Sequence, residues 1–397
     1  MTLEELHTAF GQYLYVEDPN ILNVTLATVV ANSLQVGDPV WLTIIGPSSG
    51  GKSQIIRPFA LAHNQYIHRI DDLTPNTFLS ASLGLEHSLL GKIGPAGILS
   101  MDDLTVLFSK NSEQRAEILS QFRMLYDGHF SKGSGNRKED IMWSGYLGMI
   151  AGSTPSIYRY FSEVADMGER FISYRMKKMD TQKALDFITA HPHTSKHLNH
   201  TLADIIKEYL PPLLQSLPDP TLRPPLHPET HQIIQEASLH CTLLRTPIHT
   251  DDRTGMVDEF PDPEMPFRVL KQLTYLAQGM QYLQPDPAQP LPEQFHDALR
   301  WTAYSLISDK RRAYARAIAH INSLPNTPIT VRAVASLTGM NDEIVKRGLS
   351  QLQALGLITL TGDDGSRREY TANNYELFRF VREIDPIPLS ASEEMEL

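Results

Sequence analysis

The chain has 397 residues, 41% of them hydrophobic and 20% charged, with a formal charge of −11 at pH 7. That is the composition of a globular protein of two or three domains, and it excludes a chain wrapped in nucleic acid through a global basic field; any such contact must be a local basic patch. The single cysteine, Cys241, excludes an intrachain disulfide, the acidic N-terminus does not read as a signal peptide, and no apolar run approaches a membrane span, so a cytoplasmic protein without membrane contact is expected.

Residues 1–40 predict two helices, the second apolar at helical spacing from Val24 to Leu34 and stopped by Gly37-Asp38-Pro39. Strands are expected at Val40–Ile45, Tyr66–Ile70, Gly97–Met101, Tyr146–Ala151 and Phe171–Met176. Between them lie a helix over Ser112–Tyr126 and a hairpin-like segment running to Trp143. Strands alternating with helices predict a mostly parallel sheet covered on both faces. From about Asp180 to Leu283 the pattern is helical, broken by an exposed connection from Pro211-Pro212 to Pro228 and a Pro-rich loop at Asp258–Pro266. Pro285–Pro292 reads as a linker. The remainder predicts one amphipathic helix over His296–Ile321, a second over Val331–Leu337, a turn at Thr338–Asn341, and a third helix over Asp342–Leu355 with Asn341 as N-cap. Strands at Leu357–Leu360 and Arg368–Thr371 complete a winged helix-turn-helix pattern.

The most specific signal is Gly46-Pro47-Ser48-Ser49-Gly50-Gly51-Lys52-Ser53, between an apolar strand and a helix start. In that context G-x-x-x-x-G-K-[ST] predicts a phosphate-binding loop: backbone N–H groups turn around a polyphosphate at a helix N-terminus. Lys52 is placed to reach the β- and γ-phosphates of ATP and Ser53 to ligate Mg²⁺. Hydrolysis needs a second acidic strand end, and Ile98–Met101 runs into Asp102-Asp103. Asp102 takes the metal role and Asp103 the water role; the register in which Asp103 holds the metal is equally open. Thr154 offers a hydroxyl in a sensor position after the fourth strand, and Arg170, just before the fifth, fits an arginine finger acting on a neighbouring subunit. Arg268, opening a helix, reads as a second sensor arginine on a helical lid. Four clustered histidines, His191, His193, His197 and His200, lack a zinc-ligand frame.

This ordered series resembles the AAA+ ATPases, and more narrowly the minichromosome-maintenance branch and the related replicative ATPases of phages and mobile elements. The resemblance covers about residues 30–285 and the terminal winged helix. It implies an α/β AAA+ core at 1–180, a helical lid at 181–290 and a winged helix-turn-helix domain at 291–397. It also implies ATP and Mg²⁺ as cofactors and a ring, expected to be a hexamer, acting as a DNA helicase on single-stranded or forked DNA alongside replication proteins. In that family the segment preceding the sensor is a hairpin that projects cations into the ring channel, which here points to Lys132, Arg137 and Lys138. Three departures stand out: the loop begins at residue 46 with no N-terminal collar expected, Thr154 replaces an amide, and Asp103 replaces a glutamate. The winged helix offers Lys346, Arg347, Arg367 and Arg368 to DNA, with Lys310, Arg311, Arg312 and Arg316 on the helix before it. The alternatives are a helicase loader or replication initiator, and a nucleotide-switched DNA-binding regulator.

Overall fold

The computed structural model describes residues 1–80, 84–133, 140–160, 170–248, 250–251, 257, 261, 263–325, 327–363 and 368–387. The chain divides into two compact units: Met1–Ile234 with Leu270–Thr302, and Gln235–Val269 with Ala303–Leu397. These interleave in sequence, unlike the three successive domains expected with boundaries at 180 and 290.

The first unit is α/β. Its five strands are β1 (Trp41–Ile45), β2 (Ile67–Ile70), β3 (Ala96–Met101), β6 (Tyr146–Ser153) and β7 (Phe171–Arg175), in the order β2-β3-β6-β1-β7 and all parallel. β4 (His129–Lys132) and β5 (Ile141–Ser144) form a separate antiparallel hairpin. The two expected N-terminal helices are α1 (Leu3–Gly11) and α2 (Asn20–Leu34). In α2 every residue but Ser33 is buried, so its polar residues need internal partners. Thr25 and Thr28 donate to Ile21 O and Val24 O one turn back. Asn32 donates to Thr28 O one turn back and bonds Val40 twice, donating to Val40 O at 2.9 Å and accepting from Val40 N at 3.0 Å, which ties α2 to the start of β1. Trp41, fully buried, packs its ring against Phe122, Tyr126 and Phe171 and donates Nε1 to Leu147 O at 2.6 Å. The strand that leads into the Gly46–Ser53 loop is thereby anchored at its N-terminal end.

α3 (Lys52–Ala62), α4 (Leu89–Ile93), α5 (Thr105–Phe108) and α6 (Ser112–Tyr126) lie between the strands, followed by α7 (Thr181–Ala190) and α8 (Ser195–Gln215). The connection expected at Pro211-Pro212 begins later than predicted, because α8 continues through both prolines to Gln215. The carbonyls that lose their donors belong to Lys207 and Glu208, both on the exposed side where water can satisfy them.

α9 (Pro228–Arg245), α10 (Phe267–Gln281) and α11 (Glu293–Tyr304) follow, then α12 (Asp309–Ile321). The single helix expected over His296–Ile321 is therefore two. Leu306 N and Ile307 N bond three residues back, to Ala303 O and Tyr304 O, and Ser308 turns extended before α12 starts. The second unit contains α12, α13 (Val331–Thr338), α14 (Asp342–Ala354) and α15 (Tyr375–Ile384), with an antiparallel sheet ordered β8 (Ile329–Thr330), β10 (Arg368–Ala372), β9 (Ile358–Asp363). Asn341 caps α14 by accepting from Ile344 N at 2.9 Å, as the sequence predicts. Gly339 makes the preceding turn at φ +67°. Gly348 lets α14 meet α12, since a Cβ there would lie 2.2 Å from the Tyr314 ring. β8 and α15 were absent from the sequence reading.

Candidate functional site

The site is built at the C-terminal edge of β1, β6 and β3. β1 pairs with β6 so that Ile45 stands opposite Ser153, and the ladder continues into the loop as Gly46 N donates to Ser153 O at 3.1 Å. The loop then tightens, with Gly50 N donating to Pro47 O at 3.1 Å. Ser49 adopts φ +61°, a strained setting for a residue with a Cβ, and Gly51 adopts φ +89° as N-cap of α3. No side chain caps α3 among the described residues, so its first N–H groups and positive dipole end face the loop. Gly46 is held against Met176, the residue after β7: a Cβ there would lie 2.6 Å from Met176 Sδ.

Lys52 is buried and folded back over this loop, donating Nζ to Gly46 O at 2.9 Å and Pro47 O at 2.7 Å. Burial lowers its pKa, and the charge of Asp103 opposes that shift. The strand order thus brings Asp103 within electrostatic reach of Lys52, although β6 separates their strands.

Asp102 and Asp103 follow β3 and are used differently. Asp102 Oδ2 accepts from Arg57 Nε at 2.7 Å and from an Arg69 guanidinium nitrogen at 2.8 Å. Its Oδ1 is buried and has no hydrogen-bond partner among the described residues. Asp103 Oδ1 accepts from Thr105 N at 2.9 Å and from the Thr105 hydroxyl, which fixes the carboxyl at the start of α5. Between the acidic pair and the loop, Thr154 follows β6 and shares a hydrogen bond with Ser156 Oγ at 2.6 Å. The structure therefore gathers Gly46–Ser53, Asp102, Asp103 and Thr154 along one sheet edge, across strands spaced about 4.8 Å apart.

Arg170 is not part of that group. Phe171 pairs with Trp41 and Arg175 with Ile45, so Arg170 stands at the opposite end of β7, about 16 Å of strand from the loop. It is largely buried over the Tyr126 ring at 5.3 Å and pairs with Asp127 at 3.2 Å. Its carbonyl accepts from Gln272 Nε2 at 2.6 Å. Arg268 lies in the second unit, half-exposed on the first turn of α10, where its charge helps lower the pKa of Arg245, already pushed down by burial.

The cations assigned to DNA divide sharply. Arg137, Lys138 and Arg367 lie outside the described residues. Lys132 is engaged within the first unit, donating Nζ to Pro75 O at 3.1 Å and Asn76 Oδ1 at 2.7 Å. Lys346 and Arg347 are exposed on α14, Arg347 with Glu343 at 3.8 Å, and Arg368 pairs with Asp363 at 3.1 Å. The first turn of α14 is acidic, with Asp342 and Glu343. On α12, Lys310 is exposed, whereas three arginines serve the second unit's own fold. Arg311 donates to Leu244 O at 2.8 Å and to Thr246 O, Arg312 pairs with Asp309 and covers the Tyr304 ring, and Arg316 donates to Asp385 O and Pro386 O.

Sequence reasoning missed Arg57, Arg69 and a cavity beside the loop. Gly50, Gly51 and Ile55 form one wall of that cavity, facing the 14–18 segment and Met176–Met179. In it the Tyr15 hydroxyl donates to Glu17, which raises the Tyr15 pKa to about 12, and the Tyr174 hydroxyl below donates to Asp18. The only sequence signal for Arg57 was its position four residues after Ser53, on the same helix face. Arg69 and the 14–18 segment carry no local signal. Among the described residues no group of three or more His, Cys, Asp or Glu could hold a metal ion, and no helix is long and apolar enough to cross a membrane. No protein-family model and no curated protein matches the chain.

Proposed function

We propose that the chain is an ATP-hydrolysing ring motor of the AAA+ type that acts on DNA, a helicase in the manner of the minichromosome-maintenance branch. The observation that carries this reading is the convergence of the Gly46–Ser53 loop, the Asp102-Asp103 pair and Thr154 at one edge of a parallel sheet. A polyphosphate fits the residues present: the loop is a backbone cradle with a left-handed glycine, a helix N-terminus opens onto it, and a buried lysine spans it. A divalent cation fits as well, because Asp102 Oδ1 is a buried acceptor with lone pairs to spare beside the Ser53 helix.

In this reading the loop N–H groups and Lys52 bind the β- and γ-phosphates, and Ser53 with Asp102 holds Mg²⁺. When bound, the ion supplies neutralisation of phosphate charge. Asp103 orients the attacking water, close enough to Lys52 to be near the γ-phosphate, and Thr154 positions that phosphate. Arg170, a full strand length from its own loop, reaches the nucleotide of a neighbouring subunit, which makes the assembled ring the active species. Arg268 joins it from the lid, and α13, α14 and the β8-β10-β9 sheet form the winged helix, which presents Lys346 and Arg347 to DNA phosphates.

A second reading, a loader or initiator that remodels partner proteins, is favoured by one observation. The exposed first turn of α14 carries Asp342 and Glu343, charges that repel phosphate and suit a protein partner. Steady-state ATP hydrolysis with and without single-stranded DNA, compared with Lys52→Ala, tests the main reading. Stimulation by DNA that is lost in the variant supports the motor. Hydrolysis indifferent to DNA supports the loader, and hydrolysis surviving in the variant sinks the site assignment.

A further inference from the structure

Asp102 is bound asymmetrically. Both of its cationic partners use the same oxygen, Oδ2, at 2.7 Å and 2.8 Å, while Oδ1 stays buried and without a hydrogen-bond partner among the described residues. The two arms come from different elements. Arg57 is one turn beyond Ser53 on α3, and Arg69 is on β2, opposite Ser100 of β3. Arg69 is steadied by a second carboxylate, Asp71, at 2.6 Å. Two arginines therefore balance Asp102 and Asp71, and the site presents little net negative charge beyond Asp103. An ATP tetraanion approaching an acidic strand end would otherwise meet two uncompensated carboxylates, and only a divalent cation could offset them.

We propose that Arg57 and Arg69 form a charge-balancing clamp on Asp102 Oδ2 that leaves Oδ1 free to face the metal and sets how far nucleotide binding depends on Mg²⁺. This rests on the nucleotide-site reading above. The two arginines are positioning residues: each bonds Asp102 Oδ2 and acts through that carboxylate. Removing one positive charge leaves the carboxylate less compensated, which repels metal-free nucleotide and strengthens the hold on a divalent cation.

The test measures the Kd of a fluorescent ATP analogue in Mg²⁺ and in EDTA for the full-length wild type, Arg57→Gln, Arg69→Gln, Arg57→Lys, Arg69→Lys and Asp102→Asn. The EDTA-to-Mg²⁺ ratio of Kd is expected to rise roughly tenfold in either Gln variant, from loss of one charge beside a divalent ion at a half-exposed site. It should return towards the wild-type value in the Lys variants and fall in Asp102→Asn. A role in folding alone would lower stability without moving this ratio. The two Gln variants report independently, so one that fails to fold leaves the other decisive. A wild type that binds while the ratio stays unchanged or falls in the Gln variants overturns the clamp. A wild type that binds no nucleotide in either condition overturns the nucleotide reading and the clamp with it.

Discussion

Gly152 leaves no space between β6 and the carbonyl of Asp102: a Cβ at Gly152 would lie 2.3 Å from Asp102 O, and 3.2 Å from its carbonyl carbon. The same backbone stretch is stitched by Leu104 N donating to Gly152 O at 2.7 Å. The acidic pair is therefore set by main-chain contact with the strand that carries Thr154. Gly152→Ala must push the β3–α5 turn away from β6. We expect a loss of about 1–3 kcal/mol in urea unfolding, with ATP hydrolysis falling more than nucleotide affinity. Unchanged hydrolysis at reduced stability would dissociate the turn from the chemistry.

Lys52 opens the helix after the C-terminal end of β1 and Arg170 precedes the N-terminal end of the neighbouring β7, so on the proposed reading the two act on one nucleotide only from different subunits. Lys52→Ala is expected to lower turnover at least about 100-fold and Arg170→Ala about 1,000-fold, with nucleotide binding surviving in the latter. Mixing the two inactive variants should restore part of the activity, because some interfaces then pair an intact Lys52 with an intact Arg170. No recovery on mixing, in subunits shown to exchange, would refute action between subunits.

In the second unit, Arg311 is a half-buried strut whose pKa is pushed down to about 10 by loss of solvent, whereas Lys346 is a solvated cation. Arg311→Met strands two carbonyls, Leu244 O and Thr246 O, and should cost about 2 kcal/mol in unfolding experiments. Lys346→Ala should leave the melting temperature unchanged but weaken DNA binding and reduce its salt dependence by about one ion. Equal DNA affinity in Lys346→Ala across salt concentrations would remove α14 from the DNA interface.

His7, on α1, bonds Asn23 of α2 at 2.6 Å. Burial lowers its pKa from 6.5, more than the Asn23 hydrogen bond raises it. The unfolded chain therefore takes up a proton before the folded chain does. Stability from this group is whole above about pH 6.5 and is lost as pH falls through that value towards the folded pKa. His63, His68 and His240 are shifted the same way by burial. Thermal melts at pH 7.5 and 5.5 should show a lower transition at the acidic pH, and His7→Gln should flatten, without abolishing, that dependence.

The sequence by itself determined the local pieces. A Gly-rich loop leading into a helix, an apolar run ending in two aspartates, and an Asn cap at residue 341 are encoded within a few residues of chain, and the structure has each where the spacing predicts it. Helix ends decided by weak signals were misplaced. Pro211-Pro212 sits within α8 because its orphaned carbonyls face water, and the break at 305–308 carries no proline or glycine. Only the tertiary structure decided which pieces meet. The insertion of β6 between β1 and β3 puts Thr154 beside the loop and brings Asp103 within reach of Lys52. It also decided which cations are engaged: Arg57 and Arg69 converge on Asp102 from α3 and β2, and Arg311 turns inward to two carbonyls. Strand order and the burial of long side chains depend on contacts between residues far apart in sequence, and no local pattern encodes them.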